Sequence, residues 1–244
     1  MQLCRVHAVK NWVTKEVDDR IAGMVDSIRK FHYPSESKKV RPFVTISRQY
    51  GCDAFEVASG LAEKLNEHSG PEYLWDVYDR SLVELVARDE EISDRIVRSM
   101  TSEHRFAFEE FLRDMVLKLP SRDKIFIRTA RVIKSLAWHG YAVIIGRGGF
   151  RLCSEMDNGF HVQIVAPVEW RCSRILVDQE LASAAVALKH LKSMDKVRNE
   201  FFKYHFDQRS GSSEEFDLVI NNSRFTPPHI VEMVLKGMAQ RGLL

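Results

Sequence analysis

An α/β fold built on a parallel sheet covered on both faces is what the sequence predicts, and three observations predict it. Five short, mostly apolar runs of β type alternate with longer stretches of helical spacing. Those runs are mostly apolar rather than strictly alternating, as strands buried on both faces are. The segments following the runs are rich in glycine, asparagine and charge, the composition of strand exits and turns.

The elements follow in order. Phe43, Val44, Thr45 and Ile46 form the first strand; a turn-like segment, residues 47–53, leads into a helix with Ala54, Ala58, Leu61, Ala62 and Leu65 on one face. A weaker strand over residues 73–78 precedes a helix through Leu82, Val83, Leu85 and Val86. Two more helices are expected, one carrying Phe106, Phe111, Met115 and Val116, the other Phe126, Ala130, Ile133 and Ala137. Ala142, Val143, Ile144 and Ile145 make the strongest strand, running into Gly146-Arg147-Gly148-Gly149. The fourth strand, residues 161–165, meets Ala166-Pro167, where proline suits the first turn of a helix continuing through Arg171 and Arg174. Leu218, Val219 and Ile220 form the fifth, and a last helix begins near Pro227-Pro228 with Ile230, Val231, Val234 and Met238 at helical spacing.

Ahead of this alternation, residues 1–41 stand apart as an appendage with nine Lys/Arg against five Asp/Glu. Val13, Val17, Ile21, Met24 and Ile28 fall on one helical stripe, followed by a linker over residues 33–39. Such a helix needs an apolar partner: either the body of its own subunit or a second copy in a homodimer.

Composition narrows the function. Of 244 residues, 45% are hydrophobic and 29% charged, which fits a globular chain. A net charge of +2 argues against bulk binding to nucleic acid or membrane surfaces, so an anionic ligand must be held by local clusters. No apolar run is long enough to span a bilayer and the N-terminus lacks an apolar signal core, so a cytoplasmic location is expected. Cys4, Cys52, Cys153 and Cys172 are scattered, giving neither a zinc knuckle nor a disulfide framework. Nine dispersed histidines give no H-E-x-x-H pair, and no metal site is expected from the protein's own residues.

In open parallel sheets ligands bind at the carboxyl ends of the strands. Those ends hold Ser47-Arg48-Gln49-Tyr50-Gly51, Asp79-Arg80, Gly146-Arg147-Gly148-Gly149 and Asn221-Asn222-Ser223, and arginine occurs in three of the four. A guanidinium is a permanently charged planar fork, suited to phosphate. Arg171 and Arg174, and Asp195 and Arg198, lie one helical turn apart and are further candidates, the alternative being ordinary surface or intrahelical ion pairs. The helix after Gly51 would aim free backbone N–H groups at an anion over the loop. Cys52, at that helix start, is either a reactive thiol of lowered pKa or a small loop filler. The aromatic group Phe201, Phe202, Tyr204 and Phe206 suggests lid and core packing rather than base stacking for nucleic acid.

The ordered series VTISRQYG, VYDRSLVELVA, VIIGRGG, VQIVAPVEWRCSRI, MDKVRNEFFKYHF and FDLVINNSRF resembles the cytidylate kinase-like family of P-loop nucleoside monophosphate kinases, over about residues 42–235. That resemblance implies a three-layer P-loop NTPase-like core over residues 42–244 with strand order 2-3-1-4-5. It places an acceptor region at about residues 79–125 and a mobile lid at about 171–206. It implies transfer of the ATP γ-phosphate, with Mg²⁺, to a pyrimidine monophosphate or related small acceptor. By the same resemblance Ser47, Arg48, Gln49, Tyr50, Gly51, Cys52 and Asp53 would hold the donor. Asp79, Arg80, Arg147, Asp195 and Arg198 would hold the acceptor, and Arg147, Arg171, Arg174 and Arg198 would neutralise the transferring phosphate.

The loop departs from the pattern. A G-x-x-x-x-G-K-[ST] loop uses its glycines for backbone approach, its lysine for the β and γ phosphates and its hydroxyl for the metal. Here Arg48 and Asp53 stand at the glycine positions and Ala54 at the lysine. Ser47, Arg48 and Gly51 match the S-R-x-x-G-S-G-G variant of the family, whereas Cys52, Asp53 and Ala54 replace its small, glycine-rich end. Arg48 is the residue that offers a substitute for the lysine's charge. Asp53 sets a carboxylate where phosphate is expected, which leaves open a second class of function: a nucleotide-binding sensor or regulatory module without transfer, or a non-catalytic dimeric interaction protein.

Overall fold

The computed structural model describes residues 41–69, 74–88, 109, 113, 123–207 and 211–244. The amphipathic helix and linker expected before residue 41, and the helix expected through Phe106 and Phe111, lie outside the described residues.

Five strands form one sheet, β1 (Phe43–Arg48), β2 (Asp76–Tyr78), β3 (Ala142–Ile145), β4 (Gly159–Val165) and β5 (Leu218–Asn221), in the order β2-β3-β1-β4-β5. Every pairing is parallel. β1 is central: Phe43 lies opposite Ala142 on one side and Gly159 on the other, and its first five residues are all buried. β2 is shorter than expected, three residues paired to β3 from Asp76 to Tyr78.

The flanking helices are α1 (Ala54–His68), α2 (Arg80–Arg88), α3 (Lys124–His139), the single turn α4 (Gly149–Leu152), α5 (Val168–Asp178), α6 (Ala184–Phe206) and α7 (Pro227–Gln240), with a 3₁₀ turn at Ser213–Glu215. Their starts follow from local chemistry. Asp123 accepts from the N–H groups of Ile125 and Phe126 at the head of α3. Ser183 accepts from Val186 at the head of α6. Pro227 and Pro228 occupy the first turn of α7, where their missing donors cost nothing. Pro167 differs from expectation by one position: it is the N-cap of α5, not its first helical residue.

Strand periodicity divides the core. Val44, Ile46, Val143, Phe160, Val162 and Ile164 face α1 and α7, meeting Val57, Leu61, Ile230, Val234 and Met238. Phe43, Ala142 and Ile144 face the other way, toward α2 and α3 through Leu82, Val83, Phe126, Ile133 and Leu136. Each fully buried Leu, Ile or Phe contributes about 1.5–3 kcal/mol relative to exposure, and this two-sided burial fixes the sheet's carboxyl edge as a rigid platform. On the second face Thr45 and His161 form a buried polar pair, Oγ1 to Nδ1 at 2.7 Å. A smaller cluster of Ile175, Ala187 and Leu191 joins α5 to α6, with Tyr50 packed against it. Helices α5 and α6 are thereby fastened to the exit of β1.

Candidate functional site

The exits of β1 and β3 meet at the carboxyl edge of the sheet. Arg48, the last residue of β1, lies with its guanidinium directly over Gly146; a Cβ there would collide with Arg48 Nη1. Gly146, Arg147 and Gly148 all have positive φ, at 78°, 49° and 71°, a left-handed turn that glycine adopts readily and arginine does not. This turn carries Arg147 past the sheet edge, where its guanidinium stacks over the Phe201 ring at 5.2 Å and pairs with Glu84. The same Glu84 accepts from Arg80 Nε at 3.1 Å, so one carboxylate bridges the arginines of two strand exits. From α6, Arg198 donates through Nη2 to Ser47 Oγ at 2.8 Å and lies over the Phe202 ring.

These groups bound a cavity of about 170 Å³, lined on its polar side by Ser47, Arg48, Arg80, Arg147 and Arg198 and on its apolar side by Phe150, Met194, Val197, Phe201 and Phe202. A wider cleft of about 390 Å³ adjoins it, sharing Arg48, Tyr50 and Arg80 and reaching Asp79, Ser81 and Phe55.

Burial and mutual repulsion dominate the electrostatics. Arg147 is brought down to about 10, by desolvation first and then by Arg80 and Arg48. Arg198 is also brought down to about 10, by desolvation and then by Arg48, against the opposing pull of Asp195. Arg48 is lowered by desolvation and then by Arg80, with Asp79 opposing. Burial disfavours a charged group, and like charges disfavour one another. Among the described residues neither Arg48 nor Arg198 has a carboxylate in ion-pair contact. Arg147 Nε is also buried without a hydrogen-bond partner among them.

The loop between β1 and α1 is arranged differently. The N–H of Cys52 donates to Gln49 O, that of Ala54 to Cys52 O, and that of Asp53 to Asn222 Oδ1 at 2.9 Å. Three of the loop's N–H groups are thereby bonded within the protein, and Val57 N donates to Asp53 O, while Asp53 makes no side-chain cap to the first turn of α1. Asp53 places its carboxylate on Arg174. Helix α5 closes the top, since a Cβ on Gly51 would lie 3.1 Å from Ile175 Cγ2 and 3.2 Å from Arg171 O. Gln49 is also committed, accepting through Oε1 from Ala166 N at 2.9 Å.

The lid arginines diverge although one turn apart. Arg171 is 3% exposed and donates to Ala166 O, Tyr50 O and Asp195 Oδ2 at 3.1, 3.1 and 2.9 Å, so it ties the lid to the loop rather than facing the cavity. Arg174 turns to Asp53 and lies over Trp170. Asp195 pairs with Arg171 and not with Arg198, so the i, i+3 spacing does not mark an intrahelical ion pair. Asp79 caps α2, accepting from Leu82 N at 2.9 Å. Cys52 is packed in, and burial pushes its thiol up to about 11, the opposite of the fall a helix start gives. His190 bonds the Tyr50 hydroxyl, and His205 stacks on Phe126.

Sequence reasoning missed Glu84 and most of the apolar wall. Glu84 was legible in principle, four residues after Arg80 on one helix, the spacing at which side chains meet. Of the wall, Phe201 and Phe202 were expected to pack in lid and core, but Phe150, Met194 and Val197 were not legible, because they come from elements whose approach depends on the whole fold.

A five-stranded parallel sheet in the order 2-3-1-4-5, helices on both faces and an arginine-lined carboxyl edge define the class: a P-loop kinase-like α/β protein. Residues 43–224 match the cytidylate kinase-like family, and the chain belongs to that family. Family and fold together place it among nucleotide kinase-like proteins. Among solved structures an uncharacterized protein from Eubacterium ventriosum superposes with a TM-score of 0.62 at 22% identity, over 82% of this chain and 99% of that one, a likeness of fold. Shikimate kinase from Bacteroides thetaiotaomicron overlaps more loosely, with a TM-score of 0.43 at 9% identity, over 83% of this chain and 99% of that one. A uronate isomerase of Corynebacterium glutamicum is 28% identical over 99 residues, 41% of this chain; the match spans about a fifth (19%) of that curated relative's length. No helix among the described residues is long and apolar enough to cross a membrane.

Proposed function

We propose that the chain binds a phosphorylated small molecule of the nucleotide class in the arginine-lined cavity, as a member of its family that recognises the ligand's phosphate without a working triphosphate loop. The observation that carries this is the convergence of Arg48, Arg80, Arg147 and Arg198, from four separate segments, on one cavity of about 170 Å³. Pockets that enclose a drug-sized ligand run from about 300 to 1,000 Å³, so this cavity suits a phosphoryl head and the adjoining cleft gives room for the rest. Gathering buried guanidiniums opposes folding, and a bound dianion offsets that opposition.

ATP with Mg²⁺ is the pair the family resemblance suggests, and the loop residues do not fit it. The lysine and glycine positions hold Ala54, Arg48 and Asp53, three loop N–H groups are bonded within the protein, and a carboxylate stands where phosphate would lie.

A second reading, transfer of the ATP γ-phosphate to a pyrimidine monophosphate, is favoured by the family match and by the acceptor-side residues Arg80, Arg147 and Arg198 lying on one cavity. It requires α5 to lift and Arg174 to leave Asp53. One experiment separates the two: melting temperature against a panel of nucleoside mono- and triphosphates with and without Mg²⁺, run beside a coupled phosphotransfer assay. Stabilisation by monophosphates without turnover is the expected result. Turnover establishes the second reading, and no response to any phosphate overturns both.

A further inference from the structure

The four arginines of the cavity are not equivalent. Arg80 and Arg147 share the carboxylate of Glu84. Among the described residues Arg48 and Arg198 face the same cavity with no such carboxylate: Arg48 lies over Gly146, and Arg198 donates to the Ser47 hydroxyl and lies over the Phe202 ring. Asp195, the acid on the same helix that acts on Arg198, is held by Arg171. Asp79, the acid acting on Arg48, accepts from the N–H of Leu82 at the head of α2.

Resting on the cavity reading above, we infer that the ligand's phosphoryl dianion seats between Arg48 and Arg198, beside the Ser47 hydroxyl, while Glu84 holds Arg80 and Arg147 as the outer wall. The residue that replaces the first glycine of the ordinary phosphate loop thereby becomes the principal phosphate ligand, and the anion site moves off the loop backbone onto two side chains. Three points of geometry support this. The Arg48 guanidinium occupies space that only a glycine at position 146 leaves open. Ser47 is 5% exposed and already within hydrogen-bond reach of Arg198, which places a hydroxyl donor or acceptor at the floor. The rings of Phe150 and Phe202 bound the same space, and an apolar wall strengthens a charge-assisted bond beside it. Desolvation and mutual repulsion act on both guanidiniums in the same sense, and on Arg147 as well, so it is the pairing of Arg147 with Glu84 that sets it apart. At Arg80 and Arg147, by contrast, an incoming phosphate meets guanidiniums whose charge is already partly offset by Glu84.

The test is thermal denaturation and calorimetric titration of the full chain with inorganic phosphate, at constant ionic strength held with chloride. Four variants are compared with the parent: Arg48→Gln, Arg198→Gln, Arg80→Gln and Arg147→Gln. Without ligand, Arg48→Gln and Arg198→Gln are expected to melt at or above the parent temperature, because each removes one of two repelling buried charges. A residue of merely structural role would not show this. Both should weaken phosphate binding by more than about tenfold, whereas Arg80→Gln and Arg147→Gln should weaken it by about threefold or less. Arg48→Lys, which keeps the charge and loses the fork, serves if the glutamine variant does not fold and should weaken binding by about tenfold. Retained binding in the Arg48 and Arg198 variants, or an equal loss in the Arg147 variant, overturns this inference and leaves the cavity reading standing. Absence of any phosphate response in the parent overturns both.

Discussion

The β1–α1 loop and the arginine cavity lie side by side at the carboxyl edge of one sheet, and they treat their polar groups in opposite ways. In the loop, N–H groups, a carboxylate and two arginines of α5 are bonded to protein partners, through Asp53 N to Asn222, Arg174 to Asp53 and Arg171 to Tyr50, with Arg174 Nε alone of these left without a hydrogen bond. In the cavity, guanidiniums are brought into mutual repulsion and two of them are left without a carboxylate among the described residues. Satisfied polar groups build structure, and unsatisfied ones mark what the protein has yet to bind. On the reading proposed above, phosphate recognition in this chain passes from backbone to side chains.

The contrast breaks most severely at Arg171. Replacement by alanine leaves Asp195 and two carbonyls without their buried partner and should destabilise the fold by about 3–5 kcal/mol, read from the urea midpoint. Arg171→Lys should recover little of this, since an ammonium lacks the fork that reaches three acceptors. A cost under about 1 kcal/mol would mean the loop is held by something else. Next comes Gly146→Ala, which forces a left-handed backbone on a side chain and drives its Cβ into Arg48. About 1–3 kcal/mol of stability should be lost, and phosphate binding should fall by more than that loss accounts for. Unchanged phosphate affinity in this variant would detach Arg48 from the site.

A smaller effect is expected at Asp53. Arg174 is 39% exposed, so Asp53→Asn should cost no more than about 1 kcal/mol and should leave phosphate affinity in the cavity unaltered. A marked gain in ATP–Mg²⁺ binding on that change would show instead that the loop is a triphosphate site held shut by one carboxylate. Smallest is the chemistry of Cys52. Its folded pKa is raised to about 11, so the neutral thiol is the favoured form. The stability this gives is complete below the ordinary thiol range and is lost as pH climbs through about 9 toward 11. Alkylation by iodoacetamide at pH 8 should run about a hundredfold slower than in the unfolded chain, because only the thiolate reacts. Rapid labelling at pH 8 would mean the loop is open.

The sheet was legible because strands buried on both faces write themselves as apolar runs. Ala142 to Ile145 coincides with β3 residue for residue, and the Phe43 and Leu218 strands begin where they were placed. The start of β2 was not, since pairing in register with β3 ends at Asp76 whatever the composition before it. At the site, residue types were readable and destinations were not. Arg171 and Arg174 share a helix and a spacing, yet burial sends one into a network of carbonyls and the other to Asp53. Asp195 and Arg198 likewise part company, because Arg171 from the neighbouring helix competes for the same carboxylate. Spacing along a helix says which side chains can meet; only packing says which partner wins.

The central claim, that anion affinity resides on guanidiniums and not on loop backbone, is tested most directly by a crystal structure of the full chain with a nucleoside monophosphate. The account predicts phosphate oxygens bonded to Arg48 and Arg198, with the Asp53–Arg174 pair intact. Phosphate seated on the N–H groups of Cys52, Asp53 and Ala54, with that pair broken, would contradict it.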